Sequence, residues 1–171
     1  DGPYWWEINL RMRFHEVNVP MYHVGSWYDI FEEGALEGFR GITDRGGAHA
    51  RPHQKLLMGP WAHIGYTVPN TGGCGELDFG PEAAIELKEE QKRWFDHWLK
   101  DVDNDVETDP PVRYFSMGTG RWCSASTWPP AEAMERAWYL DSDGRATSGV
   151  DGRLQTEPPT TTAQDDYIYD P

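Results

Sequence analysis

Val19-Pro20-Met21-Tyr22-His23-Val24-Gly25-Ser26-Trp27-Tyr28-Asp29 is a short apolar run that opens near a proline and closes in Gly-Ser-Trp-Tyr-Asp. Such a run, bounded by turn residues, predicts a buried strand of a parallel sheet. Proline is tolerated at the first position of a strand, where its missing N–H costs no interior ladder bond. Asp29 then arrives where the strand stops. In open α/β sheets ligands bind beyond the carboxyl ends of strands. At this stage Asp29 has two readings: an acid placed for chemistry, or a cap on the next helix.

Downstream, Phe31, Ala35, Phe39 and Ile42 recur at three and four residues, which predicts an amphipathic helix over Ile30 to Ile42. Gly34, Gly38 and Gly41 each cost such a helix about 1 kcal/mol relative to alanine, so they imply close packing or irregularity. Thr43 to Pro52 reads as a loop. Gln54 to Met58 is a second short strand, running into Gly59-Pro60-Trp61-Ala62-His63. Strand, helix and strand make a βαβ unit, whose crossover brings both strand ends to one sheet edge. Asp29 and His63 each follow a strand end, so their side chains can meet there.

Upstream, Asp1 to Val17 reads as an irregular or helical lead-in. Beyond His63, the glycine-rich stretch Ile64 to Pro81 reads as a surface loop. Glu82 to Lys100 predicts a long helix, with Ala84, Leu87, Gln91, Trp94 and Trp98 on its apolar stripe, widened by Phe95 and Leu99. Glu89 with Arg93 and Asp96 with Lys100 stand four apart in the favourable order. Asp101 to Asp109 carries five acids in nine residues and reads as a solvated connector between domains. Val112 to Met117 and Ala137 to Leu140 read as strands, with Tyr167-Ile168-Tyr169 as a third candidate. The organisation expected is therefore an α/β part at 1–109 and an all-β part, incomplete, at 110–171.

The 171 residues carry a formal charge of −14 and 23 aromatic residues (nine Trp, eight Tyr, six Phe). The charge argues against nucleic acid, whose backbone demands Lys and Arg, and against an anionic membrane surface. No apolar run reaches the roughly 20 residues of a membrane helix. The aromatic content argues for a packed core. Cys74 and Cys123 are too few for a disulfide framework and leave the compartment undecided. The start, Asp1-Gly2-Pro3, reads as internal to a longer chain.

A histidine acts as general base near neutral pH when a carboxylate fixes its tautomer and stabilises its protonated form. In α/β-hydrolases the chain order is nucleophile, acid, histidine, and Asp29 precedes His63 as that order requires. No Gly-x-Ser-x-Gly is present. Ser26 lacks the second glycine of that motif, lies on the acid's own loop and reads as structural. Three further groups read more simply than as ligands or catalysts. His49 and His53 are four apart, but Pro52 interrupts a helical metal pair. Asp101, Asp103 and Asp105 resemble a calcium loop without its glycine, Val106 standing there. His97 reads as a packing or surface residue.

Four motifs in order then carry a resemblance. Val19-Pro20 through Gly25-Ser26-Trp27-Tyr28-Asp29, Leu57-Met58-Gly59-Pro60-Trp61-Ala62-His63, Trp94-Phe95-Asp96-His97-Trp98-Leu99-Lys100, and Pro110-Pro111-Val112-Arg113-Tyr114-Phe115-Ser116-Met117-Gly118 resemble the CocE/NonD hydrolases. That family comprises X-Pro dipeptidyl-peptidase-like enzymes, cocaine esterase, α-amino-acid ester hydrolases and glutaryl-cephalosporin acylases. The resemblance implies an α/β-hydrolase domain with a helical cap, then a jelly-roll domain, of which this chain would be a C-terminal portion. It implies a serine nucleophile upstream, with Asp29 and His63 as the triad acid and histidine, and no cofactor. It places Phe31 and Glu32 near substrate, where some members hold a free α-amine with carboxylates. Phe31 is apolar where an acid would serve, and Glu32 and Glu33 also suit a solvated helix start. The partner implied is a small ester, amide or short peptide, and a homo-oligomer is compatible with it. By itself the chain, holding no nucleophile for His63, is expected to be inactive. The other reading is a binding or structural module derived from the hydrolase fold.

Overall fold

The computed structural model describes residues 2–63, 72–160 and 163–169. They form two compact units, Asp1–Ala131 and Glu132–Pro171. The first is built on a four-stranded sheet in the order β1 (Met21–Tyr28), β2 (Gln54–Ala62), β5 (Val112–Ser116), β6 (Arg121–Ala125). β1, β2 and β5 run parallel, and β6 turns back antiparallel on β5. Helix α2 (Glu32–Arg45) is the crossover between β1 and β2. It covers one sheet face, where Phe39 packs with Leu56, Met58 and Val112, and Trp27 joins from β1. Helix α3 (Leu87–Lys100) serves the other face, where Leu87 packs with Leu57 and Trp61 beside Tyr22 and Val24. Burial on both faces explains why β2 reads as a continuous apolar run.

The lead-in holds a short helix α1 (Pro3–Ile8) and two 3₁₀ turns. Its Phe14 is buried with Ile42 and Ala50. This explains one glycine of α2, since a Cβ at Gly41 would stand 2.0 Å from the Phe14 ring. Gly34, by contrast, faces open space.

Several boundaries differ from the sequence reading. α2 runs on to Arg45, into the stretch expected as loop. β2 continues four residues past Met58, through Gly59 and Pro60. In the expected loop, residues 64–71 lie outside the described residues, while Gly73–Cys74 and Leu77–Asp78 pair as a small hairpin, β3 and β4. α3 starts five residues late, because Pro81 opens a 3₁₀ turn and Ala84 is extended. Phe95 and Leu99 are 52% and 74% exposed, so the buried stripe is narrower than expected. Lys100 reaches Asp96 at 2.7 Å, but Arg93 pairs with Asp109 rather than Glu89.

The acidic connector does not divide the two compact units. Val112 begins a strand that hydrogen-bonds into the first sheet, and the split falls between Ala131 and Glu132 instead. The breakers Gly118 and Gly120 make the turn of a β5–β6 hairpin, with Gly120 at φ 64°. In the second unit, β7 (Tyr139–Asp141) pairs with β8 (Arg153–Gln155), which the sequence reading missed. Arg153 holds Asp141 at 2.6 Å across that pair. Tyr167-Ile168-Tyr169 forms no strand and is exposed.

His23 lies under α2, its Nε2 2.9 Å from Gln54 Oε1 and its ring edge-on to Phe39. Burial pushes its imidazole down from the ordinary histidine range, partly opposed by the Gln54 bond. The folded state therefore binds fewer protons at His23 than the unfolded chain just below about pH 6.5. Stability should fall as pH drops from there toward the lowered value. Urea unfolding midpoints at pH 7 and 5.5 should show this slope, and His23→Gln should reduce it. An unchanged slope would mean that other groups carry the effect.

Candidate active site

The site forms at the carboxyl edge of β1 and β2. Met21 to Ser26 pair in step with Gln54 to Gly59, but the next paired positions are Tyr28 and Ala62. β2 thus carries one more residue than β1 in that interval, a β-bulge. Pro60 fits there, since a bulge leaves a residue unpaired and proline has no N–H to offer. The bulge changes which side chains share a face. On β1, Trp27 packs on the α2 side and Val24 on the α3 side, and on β2, Met58 and Leu57 do the same. Straight alternation would leave Asp29 and His63 on opposite faces. The extra residue returns His63 to Asp29's side.

His63 Nδ1 lies 2.9 Å from Asp29 Oδ1. An ionised carboxylate only accepts, so Nδ1 carries the proton and Nε2 presents its lone pair in the neutral ring. The Asp29 side chain is 4% exposed and that of His63 is 51% exposed. The acid is thus held inside the turn while the imidazole faces outward. Asp29 Oδ1 also accepts the Phe31 backbone N–H at 2.9 Å, and Asp29 O accepts from Glu32 N. Helix capping and histidine contact are therefore not alternatives for this residue: one carboxylate makes both.

Phe31 stands against His63, ring centroids 5.2 Å apart and planes at 71°. Glu32 occupies the first turn of α2 and makes no side-chain hydrogen bond or ion pair among the described residues. Ser26 is fully buried on β1, and its carbonyl accepts from Asp29 N. Phe79 stacks near Tyr28 at 6.2 Å on the rim, a neighbour that no local pattern in the sequence announces.

The other sequence candidates lie elsewhere in the first unit. His53 and His97 both stack against Trp98 and both turn Nε2 toward Glu107, at 3.2 and 3.4 Å. His49 lies beside them, 5.2 Å from the His53 ring. Among the described residues no group of three His, Cys, Asp or Glu could hold a metal ion. Asp101 and Asp105 both adopt left-handed backbone, Asp101 as the C-cap of α3.

Comparison with known proteins identifies the setting of this edge. The family model for X-Pro dipeptidyl-peptidases (S15 family) matches residues 1–65, and that for the X-Pro dipeptidyl-peptidase C-terminal non-catalytic domain matches residues 104–171. A Mycobacterium bovis protein named as a serine esterase is 32% identical over 155 residues, covering 84% of this chain and 22% of its own length. The chain therefore spans about a fifth of the curated relatives it matches. Among solved structures, an α-amino acid ester hydrolase superposes with TM-score 0.73 at 22% identity, over 95% of this chain and 26% of that one. An aminopeptidase from a marine sediment Thaumarchaeota archaeon gives 0.72 at 22% identity, over 94% and 25%. A CocE/NonD family hydrolase from Staphylococcus aureus gives 0.55 at 22% identity, over 82% and 22%. These superpositions show an α/β-hydrolase-related fold. Successive matches to two domains of one enzyme architecture, with esterase-named relatives and CocE/NonD neighbours, establish that this chain belongs to the CocE/NonD, X-Pro dipeptidyl-peptidase-like family of serine hydrolases.

Proposed function

We propose that this chain supplies the acid and the base of a Ser-Asp-His triad in a serine hydrolase that cleaves esters or amides. The serine belongs to a segment upstream of these residues. The observation that carries the reading is the 2.9 Å contact between His63 Nδ1 and a nearly buried Asp29 at adjoining parallel strand ends. The substrate is a small ester, amide or short peptide. His63 Nε2 takes the serine proton as the oxygen attacks the carbonyl, then delivers it to the leaving group. Asp29 holds the tautomer and offsets the imidazolium charge. Phe31 and Glu32, at the head of α2, face the substrate side of this edge. The β7–β8 unit opens the jelly-roll domain.

The edge position of β1 supports this reading. Among the described residues β1 is hydrogen-bonded to β2 alone, which leaves its other side for a further strand. The test is a fluorescent phosphonate probe on the full-length hydrolase, with the labelled peptide mapped. An upstream serine should be labelled, and His63→Ala should slow labelling by about 10³-fold or more. Absence of labelling in folded protein, or labelling indifferent to His63→Ala, contradicts the triad.

A further inference from the structure

Trp27 stands two residues before Asp29 on β1 and by alternation shares its sheet face, the one that α2 covers. Its indole Nε1 donates to Phe115 O at 2.7 Å. Phe115 belongs to β5, and β2 lies between β1 and β5. The bond therefore crosses the middle strand. It does so where the ladders give way: β1 and β2 lose step after Ser26 and Gly59, and the β2–β5 register runs only to Met58 and Tyr114. The Trp128 ring packs on the same indole, centroids 5.8 Å apart, and on Tyr114 at 5.4 Å. The Asp29 N–H returns to Ser26 O at 3.2 Å, closing a bend with Trp27 and Tyr28 at its centre. Where the Trp27 side chain is held thus sets where the bend delivers Asp29.

We propose that Trp27 is a positioning residue for Asp29, anchored by the Phe115 carbonyl and the Trp128 ring. The inference rests on the triad reading and adds to it what aligns the acid. A bulge disrupts the ladder locally, so backbone pairing restrains the end of β1 least just before Asp29. The indole bond adds a restraint there that reaches two strands away. Phe115 and Trp128 fall within residues 104–171, the stretch matched by the non-catalytic domain model, yet both lie in the first compact unit with the triad acid. Part of that stretch therefore serves catalysis, by holding the strand end that carries Asp29.

The test separates positioning from stability. In the full-length hydrolase, Trp27→Phe keeps an aromatic ring and removes the N–H. The limiting rate of labelling by a fluorescent phosphonate should fall about tenfold, part of the roughly 10²-fold that a displacement of about 1 Å costs. The probe concentration at half-maximal rate should hold. Trp122→Phe is the matched control. Its indole donates to Glu82 O at 2.8 Å on the α3 face, so that variant loses a comparable bond away from Asp29 and should keep the parental limiting rate. In an Asp29→Asn background Trp27→Phe should cost nothing further, because a residue that acts through the carboxylate has no effect once the charge is gone. Parental labelling in Trp27→Phe overturns the proposal, as does an equal loss in Trp122→Phe or an undiminished loss in the Asp29→Asn background. A raised half-maximal concentration with the limiting rate intact makes Trp27 a binding contact and overturns it too. Should Trp27→Phe not fold, Trp128→Leu decides in its place: a limiting rate reduced several-fold supports the anchor, and a parental rate overturns it. His63→Ala in parallel keeps the readings apart: its failure to slow labelling would sink the triad, whereas loss in His63→Ala beside parental Trp27→Phe sinks only the positioning role.

Discussion

Asp29→Asn in the full-length hydrolase should lower kcat by about 10⁴-fold, with a melting temperature within a few degrees of the parent. The geometry separates the two effects. The Phe31 N–H needs only an oxygen, and the asparagine carbonyl provides one, so the turn that starts α2 survives. The imidazole needs more than an oxygen. When His63 takes a proton, a negative charge 2.9 Å from Nδ1 stabilises the cation it becomes, and an amide has no such charge. The near-complete burial of the Asp29 side chain raises the stake, since little water reaches the pair to replace the lost interaction. If the amide instead turns its NH₂ toward Nδ1, the neutral ring must hold its proton on Nε2, where it cannot accept the serine's. Ester turnover and a thermal melt on the same preparation check both halves. Activity within tenfold of the parent would remove Asp29 from the role, and a collapsed melt would make it a structural acid first.

The local pattern carries much of this architecture. The apolar runs ending at Tyr28 and Met58, with a 3–4 spaced stripe between them, suffice for a βαβ unit, and that topology alone puts Asp29 and His63 on one edge. What the pattern could not carry is set by long-range contacts. β6 is a weak strand by composition, with Arg121 and Ser124 in it, and exists because β5 offers an edge to pair with. The contacts of the acidic connector are set in the same way. An acidic connector looks like a linker locally, yet Val106 is buried within it and Arg93 ties Asp109 to α3. Phe31 was legible as a residue out of place, but its neighbour His63 lies 32 positions away. The one local clue left unread is Pro60. A proline within an apolar run that continues past it signals a bulge, and so a change of face for everything after it.

That bulge yields the second large expectation. Deleting Pro60 should lower stability strongly while the folded variant still labels, and Pro60→Ala should label within a few-fold of the parent. Residue count, not proline chemistry, sets the register. Alanine keeps the extra residue and loses only some buried volume, at about 1–2 kcal/mol. Deletion lets β2 pair straight through: Ala62 stays opposite Tyr28 and His63 on Asp29's side, and the side chain that changes face is Trp61. Trp61, 1% exposed and donating to Ala83 O at 2.9 Å, would then leave its pocket beside Leu87. Emptying a tryptophan site costs about 3–5 kcal/mol, so a urea midpoint should register the deletion strongly. His63 would keep its place on Asp29's side, so the loss falls on stability and not on the pair. Labelling measured well below the melting temperature distinguishes misplacement from unfolding. A folded deletion variant that labels no faster than His63→Ala would show that the acid and histidine need the bulge to meet, and the register argument would fall.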